Sequence, residues 1–247
     1  MALALWPLGE VEQARQFADR AIKQAAKSGN LQTLVYVDYH LCFFETVRGD
    51  RQRALPVAQA LLDLAREHAM PIWEALGRFL QGWANWVLGD QQIELAKMRQ
   101  GIERLHELGQ GFYRPYLRGR LAEAHADGGK LDIALAELDE VLTEASTMDQ
   151  HFSDAELHRI RGEILLQRDP TNTPPAEEAF LTAIAVAQQQ KARSFELRAA
   201  LSLAKLYQST GRVAEAHAVL APALQSFSPT PEFLGIEEAE TLLAALA

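Results

Sequence analysis

The chain has 247 residues, 48% hydrophobic and 23% charged, with a formal net charge of −9. That is enough apolar material for a packed core, and the acidic balance argues against a protein that coats nucleic acid or an anionic membrane. The single cysteine, Cys42, excludes an internal disulfide and a cysteine-based zinc site. No apolar run reaches the ~18–20 residues of a membrane span. The opening MALALWPLGE lacks the basic flank of a secretory signal, so a cytoplasmic location is expected.

In chain order, apolar periodicity predicts helices over 10–27, 31–48, 51–69, 71–88, 91–108, 112–127, 131–147, 151–167, 174–190, 193–210, 213–226 and 231–246. Met1 to Leu8 supplies the end of a further helix. Val35-Tyr36-Val37 is locally β-prone but lies inside a helical stretch, and nothing else reads as a strand.

The helices repeat. Gly9, Gly49, Gly89 and Gly129 fall 40 residues apart; the series continues at Asp169, in the turn-like RDPTNTPP, and at Gly211. Seven places before each turn stands a small residue: Ala2, Cys42, Gly82, Ala122, Gly162 and Ala204. Thirteen places after it, allowing two extra residues in the fifth turn, stand Ile22, Leu62, Ile102, Leu142, Ile184 and Leu224. The second helix adds Ala14, Ala54, Ala134, Ala176 and Ala216, with Glu94 the exception. Each unit therefore reads as a helical hairpin with a glycine C-cap and a small residue at the helix contact. A hairpin cannot bury both apolar faces alone, so an all-α solenoid of stacked antiparallel hairpins over 1–247 is expected, as a single repeat domain. FSPTPEFLGIEEAETLLAALA reads as a capping helix over 231–246. At the other end, Leu3, Leu5, Trp6 and the helix at 10–27 are expected to present an uncovered apolar edge, through which the chain self-associates or meets an upstream domain.

These columns resemble the tetratricopeptide repeat, and the fit is best in LAKLYQSTG over 203–211 with Ala216, Leu220 and Ala223. The resemblance implies a right-handed superhelix; the 40-residue unit, longer than the usual repeat, is similar to that of bacterial maltose-regulator-like repeats. The segments RFLQGWANWVLGD, RPYLRGRLAEAHADGGKLDIALAEL, AELHRIRGEILLQ and ARSFELRAALSLAKLYQSTGRVAEAHAVLAPAL resemble the C-terminal repeat region of multidomain bacterial signalling regulators. In that family a cyclase-like, kinase or DNA-binding domain precedes a predicted NTPase, neither of which leaves a trace in this chain. The resemblance implies a non-catalytic protein-interaction or sensor module, docking a peptide or a partner domain. A small-molecule sensor and an oligomerisation scaffold are the alternatives.

Candidate chemistry is sparse. There is no phosphate loop, no nucleophile elbow and no His-x-x-x-His, so no catalytic residue, cofactor or metal ligand is assigned. His40, His125 and His158 fall within first helices and read as structural or solvent-facing, and Cys42 as a packed thiol. Arg114, Arg118, Arg120, Arg159, Arg161 and Arg198 are interrupted by Glu123, Glu156, Glu163 and Glu196, which leaves no basic stripe for nucleic acid. First helices line the concave face of such a solenoid, and their i, i+3, i+7 register selects Tyr36, Tyr39, Phe43, Phe79, Trp83, Trp86, Tyr116, Glu123, Arg159, Glu163, Arg198 and Lys205. This is a candidate groove, aromatic at one end and charged at the other, suited to a peptide or protein ligand. The same aromatic stripe also fits simple packing between long helices.

Overall fold

A computed structural model describes residues 1–111, 113–225 and 227–246. Among them are thirteen α-helices and one 3₁₀ turn, and no strand. In order these are α1 (Ala2–Leu5), α2 (Val11–Ser28), α3 (Leu31–Arg48), α4 (Arg51–Glu67), α5 (Pro71–Asn85), α6 (Gln91–Glu107) and α7 (Arg114–Asp127). There follow α8 (Leu131–Thr147), the 3₁₀ turn His151–Ser153, α9 (Asp154–Arg168), α10 (Pro174–Gln190), α11 (Arg193–Ser209), α12 (Val213–Leu224) and α13 (Gly235–Leu246). The chain is all-α, with its helices packed as sequential antiparallel pairs.

Local chemistry places the ends. Asn30, Asp50 and Asp90 turn their side-chain oxygens onto the first free N–H groups of α3, α4 and α6, at Thr33 (3.0 Å), Arg53 (3.0 Å) and Gln92 (2.9 Å). Gly49 closes α3 with φ +79°, donating to Thr46 O at 3.1 Å. Gly89 was expected to do the same for α5, but φ there is not left-handed and α5 has already ended at Asn85. A Cβ at 89 would stand 2.5 Å from Asn85 Nδ2 and 2.8 Å from Glu94 Oε1, so these two hydrogen-bonded side-chain ends would have to shift.

The described residues form two compact units. In unit 1, Met1–Leu3 and Gln13–Lys130, α3 packs on α4, α4 on α5 and α5 on α6. The small column sets the spacing. Cys42 Sγ lies 3.6 Å from Ala54 O, and burial pushes its thiol pKa up. At Gly82 a Cβ would come within 2.7 Å of Glu94 O, so backbone meets backbone. Glu94, the exception in the alanine column, is buried, and its carboxylate accepts from Asn85 Nδ2 (2.9 Å) and Lys97 Nζ (2.9 Å).

In unit 2, Ala4–Glu12 with Leu131 onward, α9 packs on α10 and α11, α11 on α12, and α13 on both α11 and α12. Gly162 lies under the buried Phe180 ring, where a Cβ would sit 2.4 Å from Cε1. Residues 4–12 correct the expectation of an open N-terminal edge at Trp6. Trp6 is 0% exposed, tilted against Phe233 at 5.0 Å and edge-on to Phe195 at 6.0 Å. Its Nε1 donates to Glu232 O (3.4 Å), Ser194 Oγ donates to Trp6 O (2.6 Å) and Ser194 N to Pro7 O (3.0 Å). A flat indole with a polar edge finds both an apolar bed and an acceptor there, which water at a solenoid end would not supply.

Gly82→Leu and Gly162→Leu are each expected to cost ~2–4 kcal/mol through overpacking, read as lower urea midpoints. Unchanged midpoints in both would contradict the close contacts. Trp6→Ala is expected to cost ~3–5 kcal/mol, whereas an exposed indole would cost almost nothing.

Candidate functional site

The aromatic residues selected for the groove begin in unit 1. Tyr36 is 56% exposed. Tyr39, Phe43, Phe79, Trp83, Trp86 and Tyr116 are buried. Phe43 stacks on Tyr113 at 4.4 Å and meets the edge of Tyr116 at 5.1 Å, while the Tyr116 hydroxyl donates to Thr46 O (3.0 Å). Tyr39 lies 5.5 Å from Trp73, and burial raises its phenol pKa. These side chains therefore fill the layer between helices rather than lining an open surface. Helices of 15–18 residues leave more interlayer volume than aliphatic residues fill, and rings fill it.

Two residues outside the selected set shape this region. Arg51 lies over the Trp83 ring (4.3 Å to its centre) and donates to Trp83 O. Asp127 accepts from Trp86 Nε1 at 3.0 Å. The signal for the second was present in the sequence, as Trp86 and Asp127 stand 41 residues apart, one repeat plus one place. Burial raises the Asp127 pKa, Glu123 raises it further, and Trp86 with Arg51 pulls it back. Glu123 itself is half-buried and paired with Arg120 at 3.0 Å.

In unit 2 the structure brings the charged candidates together. On α9, buried Glu156 accepts from Arg159 through both oxygens (2.9 and 3.1 Å). Arg198 of α11 lies 3.5 Å from Glu156 and over the Trp6 ring at 4.7 Å. Exposed Glu163 accepts from Ser202 Oγ (2.6 Å) and sits 3.5 Å from Arg159. Lys205, one helical turn beyond Ser202, is exposed and pairs with Glu238 of α13 at 2.7 Å. The result is a row of alternating charge across neighbouring helices, buried at its base and open at Glu163 and Lys205.

Unit 1 also carries an open groove of about 380 Å³ between α2 and α3. Its walls are Phe17, Ala18, Ala21 and Gln24 on one helix and Tyr36, Val37, His40, Leu41 and Phe44 on the other, with Met1 to Leu3 at one end. The His40 ring donates from Nδ1 to Tyr36 O (2.8 Å), and burial lowers its pKa. No helix among the described residues is long and apolar enough to cross a membrane.

No protein-family model matches the chain. An uncharacterized protein of Rhizobium meliloti (strain 1021) is 24% identical over 219 residues, which is 86% of this chain. The chain spans about a fifth of that relative's length, 20%. Among solved structures, the chain is similar to a Rap protein complexed with Competence and Sporulation Factor, with a TM-score of 0.67 at 14% identity, over 99% of this chain and 77% of the other. It is also similar to BtubC of P. vanneervenii, with a TM-score of 0.59 at 16% identity, over 90% and 94%. The chain is thus an all-helical repeat protein of tetratricopeptide-like fold.

The raised Asp127 pKa has a consequence for stability. A carboxyl harder to ionise when folded costs stability above its folded pKa, and that cost is gone below the unfolded value near 3.8. Asp127→Asn, which keeps an acceptor for Trp86, is expected to melt above the parent at pH 7 and level with it near the bottom of that range. Thermal melts at the two pH values check this, and a higher-melting parent at pH 7 would count against it.

Proposed function

We propose that the chain is a non-catalytic protein-interaction module, the C-terminal helical-repeat part of a bacterial signalling or transcription regulator. Its ligand is a polypeptide segment, from a partner or from an upstream NTPase domain of the same polypeptide. The observation that supports this is the charged row of unit 2. Glu163 and Lys205 stay open to solvent while Glu156, Arg159, Arg198 and Ser202 hold their helices in place beneath them. Fixed charges of both signs across neighbouring helices suit an extended peptide, whose side chains and amides alternate donor and acceptor. They offer little to a small apolar effector. The Rap likeness supports the reading from another side, since that protein was solved with a factor bound.

The test is selection of binding peptides from a displayed random library, followed by calorimetry against the parent, Glu163→Lys and Lys205→Glu. Both substitutions lie on exposed side chains, and circular dichroism of each variant checks that the fold is kept. Selected peptides are expected to bind at roughly micromolar Kd, to weaken with salt, and to lose roughly tenfold with either substitution. Peptides indifferent to both substitutions, or no peptide at all, would remove the support.

A further inference from the structure

The two open members of the charged row, Glu163 on α9 and Lys205 on α11, are not in the same state. Glu163 makes both of its contacts, with Ser202 Oγ (2.6 Å) and Arg159 (3.5 Å), through Oε1, so Oε2 has no partner among the described residues. Lys205 has one, and it comes from outside the row: Glu238, in the first turn of α13, lies 2.7 Å away. Both side chains of this pair are about half exposed, at 49% and 55%. At the base of the row the Glu156 side chain is 2% exposed and meets both Arg159 and Arg198. The pair on α11 and α13 is of another kind.

The seating of α13 does not rest on it. That helix packs on α11 and α12 with Ile236, Ala239, Leu242 and Leu246 buried, and Phe233 just before it is tilted against Trp6. Released from Lys205, the Glu238 carboxylate keeps its water and the partial positive charge of the helix's first turn, where acids are favoured. Lys205 changes partner as easily, because an ammonium on a flexible four-carbon stem turns its donors without moving α11. A half-exposed pair of this kind is worth no more than a few-fold in an equilibrium. It is strong enough to fill the place of an anion and too weak to refuse one.

We propose that Glu238 is an internal stand-in for a ligand carboxylate: the polypeptide segment that binds the row carries an Asp or Glu that displaces Glu238 from Lys205. This deepens the reading of the row as a peptide site and rests on it. The exchange replaces one carboxylate by another, so the number of ion pairs is conserved. Glu238 is held beside Lys205 at high effective concentration by its own helix, and it therefore weakens every ligand that brings an acid to this place by the same factor. Ligands with a neutral side chain there leave the internal pair intact and are not weakened. Glu238 is in this way an autoinhibitory residue that acts on acidic ligands alone.

The test uses the full chain and a peptide selected on it from the displayed random library, synthesised with blocked ends, beside forms in which each acid is changed in turn to its amide. By calorimetry the intact peptide is expected to bind Glu238→Gln roughly two- to fivefold more tightly than the parent, and the form lacking one particular acid to bind both chains equally. Glu237→Gln removes the same charge from the same exposed turn, where no ion pair is made among the described residues, and is expected to match the parent. Lys205→Glu/Glu238→Lys keeps an internal pair with the signs exchanged, and is expected to prefer the peptide with that acid changed to lysine. Circular dichroism of each variant checks the fold. Selected peptides without an acid, equal affinity of the parent and Glu238→Gln, or a gain shared by Glu237→Gln or by every amide form overturns this inference and leaves the row a peptide site. Selection of no peptide at all overturns both.

Discussion

Two helices of a hairpin approach only as closely as the side chains between them allow, and in this protein that distance is set seven residues before each turn. At Gly82 the neighbour is the carbonyl of Glu94, and at Gly162 it is the buried ring of Phe180. Cys42 takes the same place with a sulfur small enough to rest on the Ala54 carbonyl. Once the two backbones are in contact there, the turn has little freedom. The angle of the second helix follows, and with it the surface offered to the next hairpin. Dispersion between close-packed atoms is weak per contact but large in sum, and a single added side chain at this position would forfeit many contacts together.

The long helices create a demand that small residues cannot meet. Away from the contact point Tyr39, Phe43, Phe79, Trp83, Trp86 and Tyr116 are buried in unit 1. Charged groups drawn into these layers are paired with opposite charge and laid against rings. Buried Glu45 receives both Arg15 (2.6 Å) and Arg48, and each guanidinium faces Phe44. Glu156 and Arg198 repeat the arrangement beside Trp6 and Phe233. A buried charge without such a partner would be strongly destabilising, and a guanidinium can stack and bond at once where an ammonium cannot.

The period, the helix positions and the small column were all legible in the sequence, because they follow from spacing and from caps such as Asn30, Asp50 and Asp90. The state of the candidate site residues was less legible. Tyr36, Leu76 and Tyr116 share one register yet differ from exposed to buried, because exposure depends on whether a neighbouring helix is present and not on the residue's own helix. Helical spacing likewise does not separate a stripe facing the interior layer from one facing a groove. The glycine column hides two different backbones, left-handed at Gly49 and not at Gly89. The burial of Trp6 rests on contacts so distant in the chain that no local pattern carries them.

That distance bears on how the molecule comes into being. The indole of Trp6 finds its acceptor at Glu232, 226 residues along the chain. A ribosome working at ~5–20 residues per second needs roughly 10–45 s to cover such a stretch. Throughout that interval the turn that carries Trp6 lacks the surface that shelters it, while the hairpins between can fold locally as they appear. Trp6 thus makes a contact of high sequence separation in a fold otherwise built from local ones, and such contacts form late because their loop-closure entropy comes first.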